Sequence, residues 1–68
     1  MARLTVTFSS TMKRFINAFT RKRGYSSEAE TVRDAIAILI FVDEKRSEGK
    51  KFWVVDEEGN WTPVDFGF

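Results

Sequence analysis

The fold of this chain is decided by its first nine residues, MARLTVTFS at positions 1–9. Apolar and polar residues alternate within this stretch, with Leu4, Val6 and Phe8 set against Arg3, Thr5 and Thr7. A period of two predicts a β-strand with one apolar and one polar face. The polar face carries a guanidinium group and two hydroxyl groups, which are able to bind base edges. Because no second strand is indicated before residue 50, this strand must pair with the C-terminal segment or with a second copy of the chain.

Length and composition favour an oligomer. The chain has 68 residues, of which 43% are hydrophobic, including seven Phe and two Trp. A chain of this size is one domain, and it buries only about 60% of the surface that it exposes when unfolded. It has no cysteine and no histidine, so neither a disulfide nor a His/Cys metal site is available to stabilise it. The abundant apolar side chains therefore predict burial against another subunit.

Charge is distributed unevenly along the chain. Residues 1–27 contain six basic residues and no acidic residue, whereas residues 28–68 contain five basic and ten acidic residues. Such asymmetry predicts a polyanionic partner for the basic part. A basic helix face that is merely solvated is the alternative interpretation of the same pattern.

Helix signals follow the predicted strand at once. Ser9 or Ser10 is a candidate N-cap, an apolar stripe follows at helical spacing, and Gly24 provides a C-terminal stop, so the first helix is predicted from Ser10 to Arg23. Ser26 or Ser27 caps a second helix, and residues 27–30 fit a capping box. The run AIAILIFV at residues 35–42 is apolar on all sides and must be buried on all sides, in part by another subunit.

The C-terminal segment predicts a β-hairpin. Residues 51–56 and 61–66 are rich in strand-forming side chains, and Glu57-Glu58-Gly59-Asn60 between them is a turn signal. Pro63 has no N–H to donate, which places the second strand at an edge or a bulge. The predicted order is strand, helix, helix and hairpin, an α+β fold that is mainly helical.

This arrangement resembles the ribbon-helix-helix family of DNA-binding proteins over residues 2 to about 46. The resemblance is carried by RLTVTFS at residues 3–9, GYSSEA at residues 24–29 and VRDAI at residues 32–36. It implies a homodimer in which two strands pair as an antiparallel ribbon that lies in the DNA major groove, a known docking mode. Residues 1–48 would form this dimeric DNA-binding domain, and residues 49–68 would be a hairpin extension outside the family pattern.

Residue roles follow from the resemblance and agree with side-chain chemistry. The base-contacting residues are Arg3, Thr5 and Thr7, since Arg donates twice to guanine and Thr bonds a base edge or contacts a thymine methyl. Contacts to phosphate are expected from the start of the second helix and from basic side chains, namely Ser26, Ser27, Lys13, Arg14 and Arg23. The dimer core is expected to contain Leu4, Val6, Phe8, Val32, Ile36, Leu39 and Ile40.

Together these features predict a transcriptional repressor that binds double-stranded DNA as a homodimer, with tetramers or larger assemblies on DNA. We expect a cytoplasmic, nucleoid-associated protein without a membrane partner, since the apolar run at 35–42 is too short to span a bilayer. No catalytic residue, metal ligand or cofactor is indicated, and the lack of histidine and cysteine argues against an enzyme. The alternatives are a nucleoid-type architectural protein, with or without a regulatory ligand, and the antitoxin of a toxin–antitoxin pair, with a protein or small-ligand partner at the hairpin.

Overall fold

The computed structural model describes residues 3–68 and contains two helices followed by a β-hairpin. Helix α1 spans Ser10–Arg23 and helix α2 spans Glu28–Ser47. Strands β1, Trp53–Val55, and β2, Trp61–Pro63, pair as an antiparallel two-stranded sheet. The coarse prediction of a small, mainly helical α+β protein is confirmed, as are both helices and the hairpin.

The chain divides into two compact units, residues 1–37 and 38–68. This division lies within α2, whereas the sequence suggested a boundary between residues 48 and 49. The difference arises because the second half of α2 groups with the hairpin. Phe41 of α2 packs edge to face on Phe52, just before β1, with ring centroids 6.2 Å apart. Phe52 in turn contacts Phe66, with centroids 5.4 Å apart.

Both ends of α1 are set by local hydrogen bonds. The Ser9 side chain accepts a hydrogen bond from the backbone N–H of Met12 at 3.2 Å, so Ser9 is the N-cap. Gly24 adopts the left-handed conformation at φ 69°, and its N–H donates to the carbonyl of Arg21 at 3.0 Å. The next N–H, from Tyr25, donates to the carbonyl of Thr20 at 3.0 Å. This pair of bonds is a Schellman motif, which ends the helix as predicted.

A buried pair of hydroxyl groups links α1 to α2. The Oγ1 atoms of Thr20 and Thr31 lie 2.6 Å apart, and both residues are buried. The Thr20 hydroxyl also donates to the carbonyl of Ile16 at 2.6 Å. Since a hydroxyl has one proton, Thr31 is the donor in the Thr20–Thr31 bond. Every polar atom of this pair therefore has a partner.

The segment before α1 has no strand in the single chain. Residues 3–9 carry no assigned helix or strand, although a strand was predicted there. A strand needs the N–H and carbonyl groups of a neighbour, and the sheet of the described residues contains β1 and β2 alone. Of the three apolar residues of segment 3–9, Leu4 and Val6 are exposed, Leu4 to 88%, and Phe8 is half-buried.

Little of the apolar surface is covered within one chain. Val42, 4% exposed, is the one buried hydrophobic residue among residues 3–68. Of the predicted dimer-core residues in α2, Ile36, Leu39 and Ile40 are about half exposed, and Val32 is half-buried. Over residues 35–42, α2 is apolar on all sides and requires cover on all sides. Its own chain does not provide that cover.

Candidate nucleic-acid interface

The three predicted base-contacting residues lie in the exposed segment that leads into α1. Arg3, Thr5 and Thr7 are all exposed. Within residues 3–68 their side chains make no hydrogen bond, and Arg3 makes no ion pair. The Ser9 cap fixes where this segment ends and the helix begins. The structure leaves these polar groups available to a ligand and does not itself pair the segment with another strand.

The basic residues of α1 point in different directions. Arg14 and Arg21 are seven residues apart, which places them on the same face of the helix. At about 100° per residue, Arg23 lies on the opposite side of the helix from Arg14, and Lys13 lies between them, about 100° from Arg14 and about 80° from Arg23. One flat surface is therefore able to contact Arg14 and Arg21 together but not Arg23. The sequence analysis grouped Arg23 with Lys13 and Arg14, and helical geometry separates Arg23 from Arg14.

Arg23 has a contact within the chain that the sequence analysis missed. Its guanidinium carbon lies 5.9 Å from the centroid of the Tyr25 ring, and the Tyr25 hydroxyl donates a hydrogen bond to the Asp34 carboxylate. A side-chain hydrogen bond with Tyr25 is the main reason that the pKa of Arg23 is raised above its ordinary value. Tyr25 also packs on Phe19, with centroids 6.4 Å apart. The signal for this cluster is a bulky residue directly after the helix-ending glycine, where Schellman motifs contact the preceding turn.

The start of α2 is less open to phosphate than its sequence suggested. Ser26 and Ser27 are exposed, but the backbone N–H of Ser26 already donates to the Glu30 carboxylate at 2.9 Å. Glu28, also in the first turn, accepts a hydrogen bond from the Asn17 side chain at 3.2 Å. Acidic side chains stabilise a helix N-terminus, but they repel a second anion there. A DNA phosphate has to displace Glu30 to reach the Ser26 N–H.

A second group of cations lies around the open end of the hairpin, where the sequence analysis placed no defined site. Arg46, Lys50 and Lys51 line an open cavity of about 270 Å³, together with the carboxylate of Asp65 and apolar side chains. Lys50 forms an ion pair with Glu48 at 2.9 Å. Arg46 and Lys51 have no ion-pair partner within residues 3–68. The open end of the hairpin therefore carries a net positive charge.

The opposite end of the hairpin is acidic. Asp56 accepts hydrogen bonds from the backbone N–H groups of Glu58 and Asn60, at 3.0 and 2.9 Å, and from the Asn60 side chain. These bonds, led by the backbone N–H of Asn60, hold the pKa of Asp56 below 3.8. Glu57 and Glu58 follow in the turn and are exposed. Three carboxylates thus lie at one end of the hairpin.

Comparison with known proteins matched this chain to no family model, to no curated protein and to no solved structure. In the described part of the chain, neither helix is both long and apolar enough to cross a membrane. No group of three or more Asp, Glu, His or Cys side chains among residues 3–68 is placed to hold a metal ion. A function for this chain has to be argued from its own residues.

Proposed function

We propose that this chain is a homodimeric, sequence-specific DNA-binding protein that represses transcription. Residues 3–9 of two chains pair as an antiparallel ribbon in the major groove, with Arg3, Thr5 and Thr7 toward the bases. The observation that carries the proposal is the exposed, alternating segment 3–9 joined directly to a capped helix whose charged residues are all basic. A β-ribbon is an established means of contacting bases in the major groove.

Apolar side chains that the chain leaves exposed support the dimer. Among residues 3–68, Leu4 is 88% exposed, Val6 55% and Ile36 52%. These uncovered apolar residues are among those that a dimer interface would bury.

The charge distribution supports a polyanionic ligand. Residues 3–27 contain six cations and no acidic residue, and within residues 3–68 none of these cations forms an ion pair. Cations that form no ion pair are able to neutralise phosphates and to release the counterions condensed on DNA. Binding should therefore weaken steeply as the salt concentration rises.

The proposal is tested by selecting binding sites from random DNA and then measuring the affinity of variants for the selected and for a scrambled duplex. Arg3→Ala should cost about 1–3 kcal/mol on the selected site and relax its base preference, because a base-edge contact is lost. Lys13→Ala should weaken both duplexes equally and reduce the salt slope by about one. Lys50→Ala, at the other unit, is the matched control and should change neither.

Three results would count against parts of this proposal. If Arg3→Ala lost the same affinity for both duplexes, the result would contradict direct base contact by Arg3. Failure to enrich any sequence, with tight binding to all DNA, would favour an architectural protein. Absence of DNA binding, together with a small protein that co-purifies through the hairpin, would favour an antitoxin.

A further inference from the structure

The last turn of α2 and the open end of the hairpin border an open cavity of about 270 Å³. All of its lining residues belong to the compact unit of residues 38–68. Apolar residues form one part of the wall, namely Phe52, Val64 and Phe66. Pockets for drug-sized ligands occupy about 300–1,000 Å³, so a cavity of this size suits a smaller molecule.

The cavity lies where the hydrogen-bond ladder of the hairpin stops. The Val64 N–H donates to the carbonyl of Phe52 at 2.9 Å, but among residues 3–68 the Phe52 N–H makes no backbone hydrogen bond in return. Two residues that face each other in this way exchange both bonds in a regular antiparallel ladder. A backbone N–H needs an acceptor, which is either water or a ligand. The Phe52 N–H is therefore able to donate to a molecule in the cavity.

The charges that line the cavity are balanced except at Arg46. Lys50 forms its ion pair with Glu48 at 2.9 Å. The strand register, continued by two residues, sets Lys51 opposite Asp65. Arg46 makes no ion pair among residues 3–68. One guanidinium group is therefore left without a counter-charge at the cavity.

The chemistry of Arg46 indicates the class of ligand. Its guanidinium carbon lies 5.5 Å from the centroid of the Phe68 ring, and this cation–π contact leaves its N–H groups able to donate. The planar fork of these groups fits a carboxylate, which accepts two parallel hydrogen bonds. The carboxylate of Asp65 would repel a ligand with two or more negative charges. A monocarboxylate therefore fits this charge balance better than a phosphate monoester or a nucleic-acid backbone.

We propose that this cavity binds a small aromatic monocarboxylate. The ligand carboxylate accepts hydrogen bonds from the Arg46 fork and from the Phe52 N–H. Its ring contacts Phe52 and Phe66, whose own rings pack edge to face with centroids 5.4 Å apart. The site shares no residue with the proposed DNA contact and does not rest on that function.

The ligand class is tested by NMR titration of the isotope-labelled full chain with benzoate as the probe. The amide signals of Gly49 and Phe52, which line the cavity, should shift and saturate. Benzamide has the same ring without the charge, and phenyl phosphate adds a second charge at neutral pH. Both should bind about fivefold or more weakly than benzoate, because benzamide lacks charge-assisted hydrogen bonds and phenyl phosphate is repelled by Asp65.

The role of Arg46 is tested with three variants in the same titration. Arg46→Gln should weaken benzoate binding by about fivefold or more, since a hydrogen bond to a charged group is lost. Arg46→Lys should lose less, because it keeps the charge but not the planar fork. Arg33→Gln is the matched control, because Arg33 is an exposed cation of α2 outside the cavity, and its affinity should stay within about twofold. Circular dichroism verifies that the variants remain folded.

Three results would overturn the proposal. The first is the absence of saturable shifts with benzoate, and the second is equal binding of benzoate and benzamide. The third is an unchanged benzoate affinity in Arg46→Gln, since the carboxylate would then be bound elsewhere.

The outcome is independent of the proposed DNA contact, because the titration contains no DNA. Arg3→Ala should leave the benzoate affinity unchanged, and Arg46→Gln should leave the base preference on the selected duplex unchanged. Failure of one proposal is thus distinguishable from failure of the other.

Discussion

The buried hydroxyl pair between α1 and α2 provides the sharpest test of how the N-terminal unit is held together. Thr31 donates to Thr20 at 2.6 Å, and Thr20 donates onward to the carbonyl of Ile16 at 2.6 Å. Valine has almost the same shape as threonine, so Thr→Val substitutions remove a hydroxyl group with little change of volume. The direction of the chain of hydrogen bonds makes the two substitutions unequal.

The magnitudes follow from what each substitution leaves unpaired. Thr31→Val removes one hydrogen bond but leaves Thr20 with its bond to Ile16, so we expect a loss of about 0.5–1.5 kcal/mol in the free energy of unfolding. Thr20→Val leaves the buried Thr31 hydroxyl without its acceptor, and we expect a loss of about 1–3 kcal/mol. The double variant replaces both partners by apolar groups, which is often nearly neutral. It should therefore cost less than the two single variants combined.

Urea unfolding at one fixed chain concentration measures these differences, since association contributes to the apparent stability of an oligomer. Thr11→Val, on the exposed surface of α1, is the control and should stay within about 0.5 kcal/mol of the parent chain. Additive losses in the double variant, or equal losses in the two single variants, would refute the directed hydrogen-bond chain.

Three further predictions concern the other local contacts. Gly24→Ala should cost about 1–2 kcal/mol in thermal unfolding, because φ is 69° there although a Cβ meets no atom within 4 Å, and Gly24→Asn should cost less. Glu30→Gln should tighten binding to all DNA sequences alike in affinity measurements, since it removes a negative charge beside the Ser26 N–H; unchanged affinity would mean that phosphate does not approach α2 here. Folding lowers the pKa of Asp56, so its carboxylate stabilises the hairpin fully above the ordinary pKa of about 3.9, and this stabilisation is lost as the pH falls through the pKa of the folded state. NMR of the Asn60 N–H during an acid titration should show this loss. The same change should be absent in Asp56→Ala.

Local signals account for most of what was predicted correctly. Ser9 and Gly24 delimit α1 because each acts on hydrogen bonds within one turn of its own position. The hairpin was predictable for a similar reason, since residues 57–60 provide the turn and the flanking runs favour strands. The absence of acidic residues before Glu28 is evident from the sequence alone. It supports a polyanionic ligand equally in the folded chain, where the cations of residues 3–27 form no ion pair.

Contacts between residues distant in sequence were not predictable. Nothing marks Thr20 and Thr31 as partners, because their hydroxyl groups meet only once α2 turns back along α1. The Tyr25–Asp34 bond likewise depends on that geometry. Glu30 was recognised as part of a capping box, but its occupation of the Ser26 N–H became evident only in the structure.

The sequence by itself determined the two helices, the limits of α1, the presence of the hairpin and the distribution of charge, since these depend on neighbouring residues. It also indicated that one chain lacks enough cover for residues 35–42. Only the tertiary structure decided which apolar residues stay uncovered, because burial depends on which surfaces meet in space. It also assigned Trp53 and Trp61 to one uncovered face of the hairpin, since strand register determines which side chains share a face.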